Sequence, residues 1–294
     1  MTTVSLQMFG LPLADYLPVA QLADSLGFET LWLSDHVVTP ADYAKLYPYS
    51  GDGDPGYRQD TPLADVAVTL AHLAAGTTRI KLGVGVMVLP LRNVFHVARS
   101  WATLQELSGG RAVLGVGAGW MREEFDVLGL DFAVRGELLD EQLEVLDLLW
   151  SGRPASYAGR HHRFAEVYPS GSPSSPIPVV VGGHGPAALR RAARSSGWLG
   201  PAVPLEESVR LVSRLTELRT AAGLGDRPFR SYVRLVGEVS PATVRRYADA
   251  GFEDLVASPF GGAGRDLPLP ERLRALEELA AEVEITPPPS RDPT

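Results

Sequence analysis

Short apolar segments alternate with segments of helical period from one end of this 294-residue chain to the other. A short apolar run bounded by turn residues is typical of a buried strand, and apolar residues at every third or fourth position indicate a helix. Eight strand and helix pairs of this kind predict an α/β protein folded as a (β/α)₈ TIM barrel. The predicted strands are residues 4–9, 30–34, 80–88, 112–116, 178–181, 198–201, 231–236 and 254–257.

A doubly wound open sheet is the competing α/β architecture, because it also alternates strands with helices. Two observations favour the barrel. The strand count is eight, and no GxGxxG motif opens the turn between the first strand and the first helix. The expected fold is therefore a TIM barrel with insertions after strands 2 and 4.

The first insertion, residues 35–60, is rich in Gly, Pro, Asp and Tyr. Connections of this length in compact domains often serve as lids or binding loops. The second contains a hairpin-like segment at residues 157–164 and a Pro- and Ser-rich segment at residues 169–178, and it is too short to form a second domain. We expect one domain over residues 1–284 and a disordered, proline-rich tail over residues 285–294.

The chain has no cysteine, which excludes disulfides, thiolate metal sites and cysteine nucleophiles. Any redox chemistry must then come from a bound cofactor. A total of 27 Lys and Arg oppose 35 Asp and Glu, and the net charge of −8 argues against nucleic acid as the main partner. The N-terminus shows no signal-peptide pattern, and no segment approaches the ~20 apolar residues that span a bilayer, so we expect a cytoplasmic protein without a membrane partner.

One histidine stands at a position where a barrel enzyme places its chemistry. In a (β/α)₈ barrel the active site lies at the carboxyl ends of the strands, and Asp35 and His36 follow the second predicted strand directly. An imidazole beside a carboxylate can donate or accept a proton near neutral pH. The alternative is a structural histidine held within a loop. The chemistry of the residues alone favours neither interpretation.

Glycines mark the ends of three further strands. Gly83 and Gly85 lie within the third strand, where they indicate a bulge, a close approach of backbone to a ligand, or tight packing inside the barrel. The alternating glycines of residues 115–119 leave room for a flat ring system at the barrel mouth. The segment Gly-Gly-His-Gly-Pro at residues 182–186 precedes a helix, and its converging backbone N–H groups suit a phosphate, with a plain capped turn as the alternative.

Other candidates give weaker signals. His161 and His162 point to opposite faces of a predicted short strand and have no third ligand at a suitable spacing, so we expect no metal site. No GxSxG elbow for serine hydrolysis is present. The acidic run that includes Glu123 and Glu124 is interpreted as a solvated helix face, and so are the arginines of residues 190–194.

Five stretches of the sequence carry a resemblance to a known family. They are LGFETLWLSDHVVTP, RIKLGVGVMVLPLRN, LQELSGGRAVLGVGAGWMREEFDVLG, RGELLDEQLEVLDLLW and PVVVGGHGPAALRRAA. Together they resemble the bacterial-luciferase-like superfamily of flavin and deazaflavin oxidoreductases, strongly over residues 4–201 and weakly beyond. SDHVVTP, followed by a tyrosine-rich loop and VLPLRN, is most similar to the branch that uses the deazaflavin coenzyme F420.

The resemblance implies a barrel in which the reduced deazaflavin lies across the strand ends. It implies that His36 is the catalytic residue, and that Gly85 and Val86 form a bulge, often with a cis peptide bond, behind the cofactor ring. Residues 182–185 match the family's phosphate loop, and family members commonly form homodimers. The residues expected to bind the cofactor are Asp35, Gly85, Val86, Val88, Ala118, Gly119, Gly182, Gly183, His184 and Gly185.

The leading functional hypothesis is an oxidoreductase that transfers a hydride between reduced F420 and an electron-poor C=C or C=N bond of a small organic substrate, such as a natural-product intermediate. Two alternatives stay open: an FMNH₂-dependent luciferase-like monooxygenase, and a degenerate barrel that binds a flavin-like ligand without turnover. The tyrosines of the first insertion would cover the substrate or simply pack the loop onto the rim. They are Tyr43, Tyr47, Tyr49 and Tyr57.

Two positions depart from the family pattern. Trp120 stands where some deazaflavin dehydrogenases have a catalytic glutamate, which argues against oxidation of sugar phosphates or alcohols. Ser196 replaces an aspartate that many relatives have just before the Gly-Trp pair that ends the phosphate-site helix. This second departure bears on cofactor affinity and on the placement of that helix.

Overall fold

Eight parallel strands close into a barrel in the computed structural model, which describes residues 2–41, 47, 53–55, 57–237, 239–260 and 267–285. The first strand of the chain pairs with both the second and the last, so the sheet closes on itself. This closure confirms the predicted (β/α)₈ fold. The strands are β1 (Thr3–Met8), β2 (Thr30–Leu33), β3 (Lys81–Val88), β4 (Ala112–Gly117), β5 (Ala155–Ala158), β6 (Arg163–Val167), β7 (Val179–Gly182), β8 (Gly197–Leu199), β9 (Arg230–Arg234) and β10 (Asp254–Ala257), of which all but β5 and β6 form the barrel.

Helices cover the outside of the barrel and return the chain to the amino end of the next strand. The first helix ends at Gly27, whose φ of 96° lets its N–H bond back to the Ala23 carbonyl. Among the described residues, no helix combines the length and the apolar character needed to cross a membrane. The helices are α1 (Leu13–Leu26), α2 (Val66–Gly76), α3 (Val94–Leu107), α4 (Arg122–Val127), α5 (Arg135–Trp150), α6 (Pro186–Ala192), α7 (Leu205–Ala221), α8 (Pro241–Asp249) and α9 (Leu269–Glu282), with 3₁₀ turns at Leu89–Leu91 and Phe132–Val134.

Strands β5 and β6 form an antiparallel hairpin that stands apart from the barrel. The rings of Tyr157 and Phe164 stack across the two strands with their centroids 6.2 Å apart. The hairpin predicted in this segment is therefore present, and it follows α5, the long helix after β4. Residues 286–294 of the predicted tail lie outside the described residues, as do Tyr43 and Tyr49.

The interior of the barrel is packed around Trp32, whose ring meets the edge of Tyr232 at a centroid distance of 4.9 Å. A Cβ atom at Gly83 would lie 2.7 Å from the Trp32 ring, and one at Gly115 would lie 2.0 Å from the Val84 carbonyl oxygen. These two glycines therefore serve packing inside the barrel and not a ligand. The Trp32 indole and the Tyr232 phenol fill the interior of the barrel at this level.

Candidate active site

The His36 imidazole lies just beyond the carboxyl end of β2, where the sequence predicts the active site. Its Nδ1 is 3.0 Å from Oε2 of Glu124, and the backbone N–H of Val37 donates to Oε1 of the same carboxylate at 2.6 Å. Because a carboxylate only accepts hydrogen bonds, Nδ1 carries the hydrogen of this contact. Within the described part of the chain Nε2 has no hydrogen-bond partner, so it is the ring atom available for proton exchange.

Glu124 is a residue of the candidate site that the sequence interpretation missed. The prediction of a solvated face is wrong for this residue, because α4 packs it against the loop that follows β2 and leaves it 1% exposed. Met121 and Phe125 are buried on the same side of α4. The sequence did contain a signal for this burial. Apolar residues four positions apart, at 121 and 125, mark the buried side of a helix, and residue 124 lies next to that side.

Asp35 points into the barrel wall and is 5% exposed. Its Oδ1 accepts a hydrogen bond from Nη2 of Arg92 at 2.6 Å, and the side-chain amide of Gln142 donates to the Arg92 carbonyl at 3.0 Å. Burial raises the pKa of the Asp35 carboxyl, and the charge of Arg92 opposes this effect. Asp35 thus anchors the segment that carries His36. A direct contact between Asp35 and a cofactor stays a prediction.

Aromatic rings surround His36 on the side of the mouth. The Trp120 ring lies edge-on to His36 and to Tyr47, with centroid distances of 6.2 and 5.2 Å, and the Tyr57 ring lies 6.0 Å from His36. Of the four predicted loop tyrosines, Tyr57 therefore lies beside the predicted catalytic residue, and Tyr47 packs against its neighbour Trp120. Burial raises the pKa of Tyr47, so its phenol stays protonated at neutral pH.

Val86 occupies the centre of the mouth. The Gly85–Val86 peptide bond is cis, and the register between β3 and β4 shifts at this point, so the bulge indicated by the glycines is present. A Cβ atom at Gly117 would lie 2.8 Å from Val86, and one at Gly182 would lie 2.7 Å from it. These glycines therefore make room for the Val86 side chain, which is partly exposed and forms an apolar platform.

Ala118 and Gly119 follow β4 and are partly exposed at the rim. Gly119 has a φ of 86°, and a Cβ atom there would lie 2.7 Å from Val88 and 2.9 Å from Phe125. A larger residue at position 119 would thus conflict with both the backbone and its neighbours. Val88 itself is buried, so its side chain supports the rim from below.

The segment between β7 and α6 is open to the mouth. Gly183 has a φ of 108°, and its carbonyl accepts a hydrogen bond from Nε1 of Trp198 at 2.7 Å. Gly185 caps α6, and no atom lies within 4 Å of the position that its Cβ would occupy. His184 lies between them and is partly buried. This loop therefore combines a fixed backbone with free space above Gly185.

Arg234 is a second residue that the sequence interpretation did not single out. It lies at the end of β9 and donates hydrogen bonds to the Gln7 side chain at 3.0 Å and to the carbonyl oxygens of Gly85 and Gly200, both at 2.9 Å. The guanidinium thus ties the bulge of β3 to β1 and β8. Only the closed barrel brings these strand ends together, so no local sequence signal indicates this role.

Other predicted candidates lie away from the mouth. His161 and His162 lie in the turn of the hairpin, where both backbone N–H groups donate to Oε2 of Glu141. Within the ranges that the structure describes, no group of three metal-ligating side chains occurs. The Ser196 hydroxyl accepts a hydrogen bond from the Val179 N–H at the amino end of β7, which is the end of the barrel opposite the mouth.

Comparison with known proteins agrees with this geometry. The sequence model of the luciferase-like monooxygenases matches residues 3–282. An uncharacterized protein of Mycobacterium tuberculosis is 32% identical over 271 residues, which cover 91% of this chain and 94% of that protein. An F420-dependent glucose-6-phosphate dehydrogenase of Microbacterium testaceum is 31% identical over 179 residues, covering 59% of this chain and 48% of that enzyme.

Solved structures share the fold at lower identity. The coenzyme F420 dependent tetrahydromethanopterin reductase of Methanopyrus kandleri superposes with a TM-score of 0.75 at 19% identity, covering 96% of this chain and 98% of that one. A monooxygenase of Streptomyces bottropensis gives a TM-score of 0.75 at 20% identity, covering 96% of this chain and 99% of that one. At these identities the likeness shows the barrel fold alone.

Proposed function

This chain belongs to the luciferase-like monooxygenase family, and we propose that it is an F420-dependent oxidoreductase. The proposed reaction is hydride transfer between reduced deazaflavin and an electron-poor C=C or C=N bond of a small organic substrate. The F420-dependent glucose-6-phosphate dehydrogenase described above supports the choice of cofactor. The observation that carries the proposal is the pair formed by His36 and Glu124, because it holds one imidazole nitrogen and leaves the other available beside the mouth.

The mouth of the barrel fits a flat ring that carries a phosphate. Val86 presents an apolar platform of the kind that a ring system can lie on, and the rim at Gly119 is free of side chain. Above Gly185 there is space that a Cβ atom would fill, and phosphates commonly bind where glycine backbone N–H groups converge. The residues proposed to hold the cofactor are Asp35, Gly85, Val86, Val88, Ala118, Gly119, Gly182, Gly183, His184 and Gly185.

When bound, the reduced deazaflavin supplies the hydride. The protein's own part is to deliver the proton that must accompany it, and Nε2 of His36 is the atom proposed for this step. Glu124 fixes the ring through Nδ1, and its negative charge complements the positive ring while His36 is protonated. Trp120 and Tyr57 lie beside the histidine, and their rings reduce the access of water to it.

Trp120 restricts the class of substrate. An indole at this position supplies no carboxylate of the kind that the family resemblance associates with alcohol oxidation, and the Glu124 carboxylate beside His36 is engaged by Nδ1 and by the Val37 N–H. The aromatic and apolar surroundings favour a conjugated, uncharged reacting bond, such as that of an enone or a cyclic imine. We keep a homodimer as a further part of the proposal, to be measured by light scattering after size-exclusion chromatography.

Titration of the purified protein with oxidised F420, reduced F420 and FMN tests the choice of cofactor. A panel of enones and cyclic imines, supplied without oxygen, then tests the reaction. We expect micromolar binding of F420 and oxidation of the reduced cofactor by at least one member of the panel. Binding of FMN alone, with consumption of oxygen, would instead establish the monooxygenase alternative, and cofactor binding without any turnover would favour the non-catalytic one.

A further inference from the structure

A cavity of about 510 Å³ lies at the amino end of the barrel, opposite the mouth. One face of α7 and the loop that leads from α7 into β9 form its walls. The volume is within the range that small organic ligands occupy in proteins. The residues of the wall include Val212, Leu215, Thr216, Arg219, Asp226 and Phe229.

Arg219 is a buried cation in the wall of this cavity. It is 6% exposed, and its guanidinium carbon lies 4.2 Å from the centroid of the Phe229 ring. Nη1 donates to the carbonyl oxygen of Ala193 at 3.2 Å, and Nη2 donates to those of Leu224 and Arg227 at 2.7 and 2.6 Å. All three acceptors are neutral. The backbone therefore fixes the guanidinium against the ring without neutralising its charge.

No carboxylate among the described residues forms an ion pair with Arg219. Burial lowers the pKa of Arg219, and the positive charge of Arg227 nearby adds to this effect. Asp226 lines the same cavity, but it is not within ion-pair distance of Arg219. Buried charges in proteins are normally paired, because the loss of hydration is costly. The cavity therefore presents a positive charge that the described chain itself leaves uncompensated.

Arg111 shows the contrasting case of a saturated arginine in the same chain. It donates five hydrogen bonds, one for each N–H group of a guanidinium, and the negative charge of Asp24 stabilises its charged form. Arg219 uses only three of its five N–H groups, and its Nε has no acceptor in the part of the chain that the structure describes. Arg219 therefore has both hydrogen-bonding capacity and charge available for a ligand.

We propose that this cavity binds a small organic carboxylate, with Arg219 as its charge partner. A carboxylate accepts charge-assisted hydrogen bonds from a guanidinium, and the apolar body of the ligand would lie against Leu215 and Phe229. The negative charge of Asp226 in the same wall disfavours a ligand with more than one negative charge, so a monocarboxylate fits better than a phosphate. Because the cavity is at the opposite end of the barrel from the mouth, this inference does not depend on the proposed function.

The alternative is that Arg219 only holds the loop after α7. Replacing Arg219 would remove its three hydrogen bonds to the backbone, so the test changes Thr216, an exposed residue of the cavity wall. Thr216→Glu places a carboxylate three residues before Arg219, a spacing at which side chains on a helix meet. Thr216→Gln is the matched control, because it has nearly the same size without the charge. Both variants lose the hydrogen bond from the Thr216 hydroxyl to the Val212 carbonyl.

Isothermal titration calorimetry measures the binding of benzoate and of benzamide, its uncharged analogue of the same shape. The wild type should bind benzoate at least about tenfold more tightly than benzamide, because only benzoate uses the charge of Arg219. Thr216→Glu should raise the dissociation constant for benzoate by about tenfold, since its own carboxylate occupies Arg219. Thr216→Gln should bind benzoate as the wild type does.

Benzoate should also raise the unfolding midpoint of the wild type and of Thr216→Gln more than that of Thr216→Glu. A wild type that binds neither compound, or binds both equally, refutes the site. An unchanged affinity of Thr216→Glu for benzoate places the ligand elsewhere and also refutes it, and an equal loss in both variants contradicts the role of the charge. Tighter binding of inorganic phosphate than of benzoate would overturn the assignment to an organic monocarboxylate.

Discussion

Nδ1 of His36 lies 3.0 Å from a carboxylate oxygen of Glu124, although 88 residues separate the two in the chain. The same carboxylate also accepts the N–H of Val37, so it holds both the ring and the backbone of the segment after β2. Glu124 is almost fully buried and has little freedom to move. The orientation of the proposed proton donor is therefore set by a residue on α4.

Glu124→Gln should lower kcat by about 10- to 100-fold while the dissociation constant for the cofactor changes little. The amide has no negative charge to complement a protonated imidazole, and it can turn its NH₂ group toward Nδ1. The distribution of the proton between Nδ1 and Nε2, read from ¹⁵N chemical shifts, should change in the same variant. Asp126→Asn is the matched control on the exposed side of α4, and an equal loss there would contradict a specific role for Glu124.

His36→Ala should abolish most of the turnover, by about 10²- to 10⁴-fold, because it removes Nε2, the atom proposed to deliver the proton. Cofactor binding should be retained, since the proposed contacts to the ring and the phosphate come from the glycine-rich strand ends. Single-turnover oxidation of the bound reduced cofactor is the measurement. Unchanged turnover in His36→Ala would remove this residue from the mechanism.

Gly185→Ala tests whether the loop at residues 182–185 binds a phosphate. The unfolding midpoint of the variant shows whether the fold itself is unaffected. The backbone at Gly185 has φ −67° and ψ 158°, which any residue adopts, and the added methyl group meets no atom within 4 Å. The unfolding midpoint should therefore stay constant. If a phosphate occupies the space above Gly185, the dissociation constant for F420 should rise about tenfold. An unaltered dissociation constant would exclude Gly185 from the phosphate site.

Asp24→Asn tests a structural carboxylate far from the mouth. Burial of Asp24 opposes its ionisation, but hydrogen bonds from the N–H groups of Thr78, Ile80 and Arg79 outweigh this and lower its pKa. Such a group stabilises the fold above its unfolded pKa of about 3.9, and the contribution is lost as the pH falls through the lower folded value. The free energy of unfolding of the variant should be about 3 kcal/mol lower than that of the wild type at pH 7.

The difference in the free energy of unfolding between wild type and Asp24→Asn should become smaller as the pH falls below about 4, because the wild-type carboxyl then becomes neutral as well. Chemical denaturation at a series of pH values measures this difference. A difference that is independent of pH would show that the loss comes from geometry and not from the charge of Asp24.

Much of the architecture could be predicted from the sequence, because strand and helix patterns are local. The eight apolar runs, the cap at Gly27 and the bulge at Gly85 each depend on neighbouring residues, whose spacing can be read directly. The position of His36 could also be predicted, since it follows a strand whose carboxyl end faces the mouth.

Other features depend on which distant residues the closed barrel brings together. Whether Gly83, Gly117 and Gly182 face a ligand or a neighbour was decided by Trp32 and Val86, which occupy the space beside them. The acidic run around Glu124 has the pattern of a solvated helix face, and only the folded barrel shows that Glu124 is buried against His36. A sequence determines what each segment prefers locally, but contacts between strand ends arise only once the sheet closes, so the tertiary structure alone decided which side chains share the mouth.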